Sequence, residues 1–204
     1  MKIICVGRNY VDHVKELKNN LPTVPVVFMK PDTAIPQDSS IIYLPEFTNN
    51  LHHEIELVIK IDKAGKQIEE KYAPKYYSSI GIGIDFTARD IQDQCKESRL
   101  PWEISKAFDN SAPIGNKFIG LENFKDKNKI LFRLEKNGEI VQQSDSSFMI
   151  FNFDKIISYV SKFFTLKTGD LIFTGTPAGV GKVSIGDVLE CFLEDKSLLK
   201  TEIK

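Results

Sequence analysis

The stretch His53–Ile61, which reads HEIELVIKI, is predicted to form a β-strand because it is short, apolar and rich in branched side chains. Similar runs recur along the chain between turn signals, which indicates a mostly β protein. Asn137-Gly138 lies between Leu131–Lys136 and Glu139–Gln142 and predicts a two-residue hairpin, since both residues tolerate a positive φ. The predicted strands are Val26–Lys30, Ile41–Tyr43, His53–Ile61, Tyr77–Phe86, Ile130–Lys136, Leu171–Thr174 and Val188–Leu193.

Helices are predicted at few places, and the last of them shows apolar residues at helical spacing. The predicted helices are Tyr10–Leu17, Thr87–Ser98 and Phe153–Lys162. A chain of 204 residues with 42% apolar and 27% charged residues can bury one sizeable core. We therefore expect a single α+β domain over residues 1–204 that is mostly β.

The composition argues against several classes of protein. Lys+Arg 27 against Asp+Glu 28 gives a net charge of -1, without the basic surplus that is typical of nucleic-acid binders. No apolar run approaches the roughly 18 residues that cross a bilayer, and the run before Gly7 is too short for a signal peptide. Three widely separated cysteines fit free thiols in a reducing compartment. We expect a cytoplasmic protein that binds neither nucleic acid nor a membrane.

Three acidic residues form a candidate metal site. Glu54 and Glu56 are separated by one residue, so in a strand their carboxylates project side by side, although a solvated strand face gives the same pattern. Asp85 follows the apolar run IGIGI of residues 80–84, and a charge there is rarely buried without a partner or a metal. Together the three residues offer only oxygen, which Mg²⁺ or Mn²⁺ prefers and zinc does not.

A histidine–carboxylate pair occurs near the N-terminus. In a helix, His13 and Glu16 are neighbours at i, i+3. A carboxylate beside an imidazole raises its basicity and fixes its tautomer, as a general base requires, but an ordinary surface contact has the same spacing. Arg8 and Arg89 are two of the four arginines, and each could bind a carboxylate or form a structural ion pair.

Seven segments, in this order and spacing, resemble the fumarylacetoacetate hydrolase family, and most closely its single-domain branch of acylpyruvate hydrolases and oxaloacetate decarboxylases. The resemblance extends over nearly the whole chain. The segments are GRNY at 7–10, DH at 12–13, LHHEIE at 51–56, DFTARD at 85–90, LPW at 100–102, Lys106, and TGTPAGVG at 174–181.

The resemblance implies a fold, an assembly and a cofactor. The expected fold is a mixed β-sandwich roll with a few short helices, the expected assembly is a homodimer, and each chain is expected to hold one Mg²⁺ or Mn²⁺. By the same resemblance, the metal ligands are Glu54, Glu56 and Asp85. His13 and Glu16 match the family's catalytic pair, on a short helix that becomes an ordered lid when substrate binds.

Four further residues acquire roles only through the resemblance. Lys106 matches a lysine that meets the substrate or its developing negative charge. Gln92 matches a catalytic residue that orients substrate or water. Arg8 and Thr176 match positions that contact the substrate carboxylate or shape the floor of the pocket.

The resemblance also implies the reaction, which is C–C bond cleavage of a small 2-oxo acid through a metal-stabilised pyruvate enolate. Acylpyruvate hydrolysis would use His13 to deprotonate the attacking water, whereas oxaloacetate decarboxylation needs no water. The same site could instead transfer a proton, as an oxaloacetate keto–enol tautomerase or a 2-hydroxyhepta-2,4-diene-1,7-dioate isomerase. A non-catalytic keto-acid binder is the third interpretation, and the intact pair of His13 and Glu16 argues against it.

Overall fold

The computed structural model describes residues 1–17 and 20–204, and these residues form three β-sheets and four α-helices. The strands are β1 Ile3–Gly7, β2 Val26–Lys30, β3 Ile41–Ile42, β4 Leu51–His53, β5 Ile55–Lys60, β6 Ser79–Ile84, β7 Thr87–Ala88, β8 Ile119–Gly120, β9 Leu131–Lys136, β10 Glu139–Asp145, β11 Leu171–Phe173, β12 Gly181–Lys182, β13 Val188–Leu193 and β14 Lys196–Ile203. The α-helices are α1 Val11–Glu16, α2 Arg89–Glu97, α3 Glu103–Lys106 and α4 Phe153–Phe163. Short 3-10 helices lie at Asp32–Ala34, Glu70–Lys75, Leu121–Asn123 and Ser146–Phe148.

Both large sheets are mixed. The first has six strands in the order β2-β1-β11-β5-β6-β8, in which β1 and β11 are parallel and the other pairs are antiparallel. The second has five strands in the order β10-β9-β13-β14-β3, in which β14 and β3 are parallel. This architecture, with its few short helices, confirms the predicted α+β class.

The main hydrophobic core contains residues from both large sheets. Ile55 and Leu57 of β5 belong to it, together with Leu134 of β9 and Leu189 of β13. Because side chains alternate along a strand, Glu56 lies on the face of β5 opposite this core. The core therefore fixes the sheet while the other face of β5 remains available for the carboxylates.

Helix α4 has the predicted amphipathic character. Ile156, Ile157 and Val160 are fully buried against the main core. The helix starts after Asn152, whose side-chain oxygen accepts a hydrogen bond of 2.9 Å from the backbone N–H of Lys155. No helix in the described ranges combines the length and apolarity needed to cross a membrane.

Most predicted elements end within one or two residues of the observed ones, and two of them differ in more than their ends. The prediction of one strand over 53–61 is wrong, because the chain leaves one sheet and enters another at Glu54. Residues before this point form β4 in a small sheet of order β12-β4-β7, and residues after it form β5. The helix predicted from Thr87 begins only at Arg89, because Thr87 and Ala88 pair with β4 as strand β7.

The predicted hairpin at Asn137-Gly138 is confirmed, with φ of 55° and 84° at its two central residues. Strands β1 and β14, in contrast, were not predicted. β1 lies inside the six-stranded sheet, between β2 and β11, and its parallel pairing joins Ile3 to Leu171. A contact over that separation leaves no local signal in the sequence.

Candidate active site

The three predicted acidic residues lie together. β5 and β6 are antiparallel neighbours with Glu56 opposite Gly83, and Asp85 follows directly after β6. One carboxylate oxygen from each of Glu54, Glu56 and Asp85 lies within 4.8 Å of the others. All three side chains are almost completely buried. The spatial part of the prediction is therefore met, and these residues offer three oxygen ligands to a cation.

Three buried cations surround the acidic cluster. The Nζ atom of Lys106, at the end of α3, lies 2.8 Å from Oε2 of Glu54 and 2.6 Å from Oδ2 of Asp85. The Nζ atom of Lys30, at the end of β2, lies 2.7 Å from Oδ1 of Asp85. Arg89, the first residue of α2, forms an ion pair with Oε1 of Glu54. Of the two roles considered for Arg89, the structure therefore supports the ion pair.

The carboxylates of the cluster differ in their electrostatic environments. Burial alone would raise the pKa of Glu54, but Lys106 and Arg89 hold it well below its usual range. Burial and the nearby carboxylates of Asp85 and Glu54 raise the pKa of Glu56 well above its usual range. Glu56 accepts a hydrogen bond of 2.7 Å from the backbone N–H of Gly175. A bound cation would relieve the repulsion at Glu56, so the donor set fits a divalent metal.

The predicted His13–Glu16 pair is formed on helix α1, with 3.2 Å between His13 Nδ1 and Glu16 Oε2. Burial lowers the pKa of His13, although Glu54 and Glu16 act in the opposite direction. The second oxygen of Glu16 accepts a hydrogen bond of 3.0 Å from the backbone N–H of Gly179. Glu16 therefore orients the imidazole and connects α1 to the glycine-rich segment that follows β11.

A cavity of about 40 Å³ joins these groups. Eight of the nine predicted site residues line it: Arg8, His13, Glu54, Glu56, Asp85, Gln92, Lys106 and Thr176. Glu16 reaches the cavity only through its contact with His13. The other lining residues are Val6, Gly7, Leu17, Phe28, Arg89, Lys96 and Trp102. The structure thus brings together segments that are widely separated in sequence.

The three predicted substrate-contact and orienting residues have defined neighbours. The guanidinium of Arg8 lies 5.7 Å from the centre of the Trp102 ring. The side-chain oxygen of Gln92 accepts a hydrogen bond of 2.6 Å from Arg89. Thr176 accepts one of 2.9 Å from the side-chain amide of Gln142.

Sequence reasoning missed two residues that organise the site. Lys30 follows the apolar run VVFM of residues 26–29, so it carries the same local signal as Asp85, a charge directly after an apolar strand. Gln142 is buried on β10, and its side-chain oxygen accepts hydrogen bonds from His53 and from the backbone N–H of Ile55. Its role depends on two distant strands, so a single sequence offers no signal for it.

A family model of the fumarylacetoacetate (FAA) hydrolase C-terminal domain matches residues 2–204. The chain belongs to the fumarylacetoacetate hydrolase family. The resemblance inferred from the seven segments is therefore confirmed.

Relatives of this chain include enzymes with several activities. The mitochondrial oxaloacetate tautomerase of Mus musculus is 42% identical over 202 residues, which are 99% of this chain and 91% of that protein. The mitochondrial oxaloacetate decarboxylase of Dictyostelium discoideum is 41% identical over 191 residues, 93% of this chain and 87% of that protein. The fumarylpyruvate hydrolase of Pseudomonas aeruginosa, solved in complex with Mn²⁺ and pyruvate, has a TM-score of 0.93 at 36% identity, covering 100% of this chain and 89% of that chain. Two of these relatives are mitochondrial, so the cytoplasmic location of this chain stays a prediction. The homodimer also stays a prediction.

Proposed function

We propose that this protein is a divalent-metal-dependent enzyme that interconverts the keto and enol forms of oxaloacetate. The observation that carries this proposal is that His13, which is hydrogen-bonded to Glu16, lines the same cavity as the three carboxylates. The choice of substrate and reaction is supported by the 42% identity with the oxaloacetate tautomerase of Mus musculus.

The chemistry of the acidic cluster supports the metal. Its donors are all carboxylate oxygens, which suit Mg²⁺ or Mn²⁺. A divalent cation held by the three acids would act as a Lewis acid on the 2-oxo group of the substrate.

His13 is suited to remove the proton. Tautomerisation moves a proton between C3 of oxaloacetate and the oxygen of its 2-oxo group. The hydrogen bond to Glu16 directs Nδ1–H of His13 away from the substrate, so Nε2 is the nitrogen that accepts the proton from C3. Since burial lowers the pKa of His13, the ring is in its neutral, accepting form near pH 7.

Lys106 is suited to stabilise the charge that appears when C3 loses its proton. Negative charge then develops on the 2-oxo oxygen, and an ammonium at the cavity wall can donate a hydrogen bond to it. Water protonates this oxygen to complete the enol, and the hydroxide that remains takes the proton from His13.

The decisive experiment follows the ultraviolet absorbance of the enol form of oxaloacetate in the presence of Mn²⁺ or Mg²⁺. We expect the protein to accelerate its decay, and excess EDTA to abolish that acceleration. Pyruvate released in the same sample measures decarboxylation separately. The proposal would be contradicted if excess EDTA left the acceleration unchanged. It would also be contradicted if a protein with confirmed metal occupancy did not accelerate the decay.

C–C bond cleavage is the second candidate, and the relatives from Dictyostelium discoideum and Pseudomonas aeruginosa favour it. Here His13 would deprotonate a water that attacks the distal carbonyl of an acylpyruvate, whereas oxaloacetate would lose CO₂ without an attacking water. Pyruvate release should be measured with acetylpyruvate, fumarylpyruvate and oxaloacetate. The substitution His13→Ala is expected to reduce hydrolysis strongly while decarboxylation survives better. Equal loss of both activities, with metal occupancy confirmed, would refute this division of roles.

A further inference from the structure

Helix α2 presents a row of polar residues to the cavity. Arg89, Gln92 and Lys96 all line it, and their spacing of three and seven residues places them on one face of the helix. The first of them is paired with Glu54, and the second accepts a hydrogen bond from the first. Lys96 is the member of this row that has no contact with the acidic cluster, since its ion-pair partner is Asp93.

Among the residues that line the cavity, positive side chains outnumber carboxylates. The three carboxylates of the cluster are matched by three cations, Lys30, Arg89 and Lys106. Arg8 and Lys96 add two more positive charges to the same walls, and only the charge of Lys96 is partly offset, by the exposed Asp93. Among residues 1–17 and 20–204, no carboxylate lies within 4.0 Å of the Arg8 guanidinium. A divalent cation would add to this excess, so the cavity calls for an anion with more than one charge.

Lys96 is placed to meet such an anion. Its side chain is 30% exposed, and its ion-pair partner is the more exposed Asp93 on the same helix, 3.3 Å away. Burial and the nearby Arg89 and Arg8 lower the pKa of Lys96, against the opposing effect of Asp93. Side chains on a helix lean towards its N-terminus, so Lys96 extends over the turn that contains Gln92.

We propose that Lys96, together with Arg8, binds the second carboxylate of a dicarboxylic 2-oxo acid and thereby selects dicarboxylates over monocarboxylates. The 2-oxo group and first carboxylate occupy the cation end of the cavity, and the second carboxylate lies under α2. This assignment rests on the proposed function and adds a residue that determines substrate specificity.

The test compares the binding of two unreactive 2-hydroxy acids to the Mn²⁺-loaded protein by calorimetry. L-Malate and L-lactate share the same hydroxy-acid head, but only malate has a second carboxylate. We expect Lys96→Met to weaken malate binding by about tenfold or more, as loss of a charge-assisted hydrogen bond does, and lactate binding by less than about twofold. Lys96→Arg is expected to restore most of the malate affinity because it keeps the charge.

The matched control is Lys162→Met, which removes one positive charge from the last turn of α4, away from the cavity. It should leave the affinities for both acids unchanged. If Lys96→Met weakens both acids equally, or changes neither, the second-carboxylate site is refuted. Calorimetry needs no turnover, so its result is independent of the tautomerase assay. If the protein shows no tautomerase activity but Lys96→Met still weakens malate binding, the carboxylate site is supported and the proposed reaction is refuted.

Discussion

The Nζ atom of Lys106 lies 2.6 Å from Oδ2 of Asp85, and both side chains are buried. The same ammonium lies 2.8 Å from Oε2 of Glu54. An internal cation thus bridges two of the three proposed metal ligands. Its charge offsets those of the two carboxylates, so we expect it to compete with a metal for their oxygens.

We therefore predict that Lys106→Met tightens the binding of Mn²⁺ while it reduces catalysis. Removal of the competing ammonium should lower the Kd for Mn²⁺ by about tenfold, the equivalent of roughly 1.4 kcal/mol. Titration followed by electron paramagnetic resonance measures this Kd without reference to activity. Lys71→Met, which breaks an exposed ion pair with Glu69, is the control. A higher Kd for Mn²⁺ in the Lys106→Met variant would mean that the lysine assists metal binding rather than opposing it.

Lys30 is predicted to be important for stability. Its ammonium is fully buried, lies 2.7 Å from Oδ1 of Asp85 and donates a hydrogen bond of 3.0 Å to Oγ of Ser111. Lys30→Met leaves a buried carboxylate with one partner fewer, which costs about 3 kcal/mol in the free energy of unfolding. Urea denaturation at pH 7 measures the loss.

The control for this experiment is again Lys71→Met, because its ion pair with Glu69 is 64% exposed on both sides and contributes little. The two variants remove the same charge from very different environments. Equal stabilities would show that the buried pair of Lys30 and Asp85 contributes no more than an exposed one.

The sequence is informative where a single element contains the whole signal. The apolar face of α4 and the hairpin at Asn137-Gly138 are formed by neighbouring residues, and both are present as predicted. Asp85 was found for the same reason, because an apolar strand that ends in a charge is a local pattern. The alternation of Glu54 and Glu56 does not by itself distinguish a shared cavity from a solvated strand face, since both give the same pattern.

The sequence is silent where the structure depends on distant pairing. The break between β4 and β5 at Glu54 arises because β4 pairs with β7 and β12, and both partners are remote in the chain. The buried position of His13 likewise depends on the walls around it rather than on its helix. Spacing alone could not distinguish this pair from a surface contact.

The pH dependence of activity is predicted to follow the neutral form of His13. Burial lowers its pKa below the ordinary value of 6.5, so the acid limb of kcat/KM should lie below that pH. Glu16 raises the pKa of His13 through its hydrogen bond and charge, so Glu16→Gln should move the limb to lower pH still. The same change should reduce the maximum rate on the order of tenfold or more, because the imidazole is less basic and less well oriented.

Kinetics between pH 5 and 8 with a metal-saturated protein test this prediction. Asp12→Asn is the matched control, since it removes a negative charge from the same helix at a side chain that is 84% exposed. A shift of the acid limb to higher pH in Glu16→Gln, or an equal shift in both variants, would exclude His13 as the titrating base.

Gly175 is predicted to be intolerant of any side chain. Its φ is +100°, and a Cβ atom there would lie 2.6 Å from Cβ of Asn9. Gly186 has a similar φ of +91° but open space around it, so the two glycines separate backbone strain from crowding. Gly186→Ala should cost about 1–2 kcal/mol of unfolding free energy from φ alone, and Gly175→Ala about 1–3 kcal/mol more.

The backbone N–H of Gly175 also donates to Glu56, so of the two substitutions only Gly175→Ala should weaken Mn²⁺ binding. Urea denaturation and Mn²⁺ titration of both variants measure these effects, and equal losses would show that the contact with Asn9 relaxes without cost.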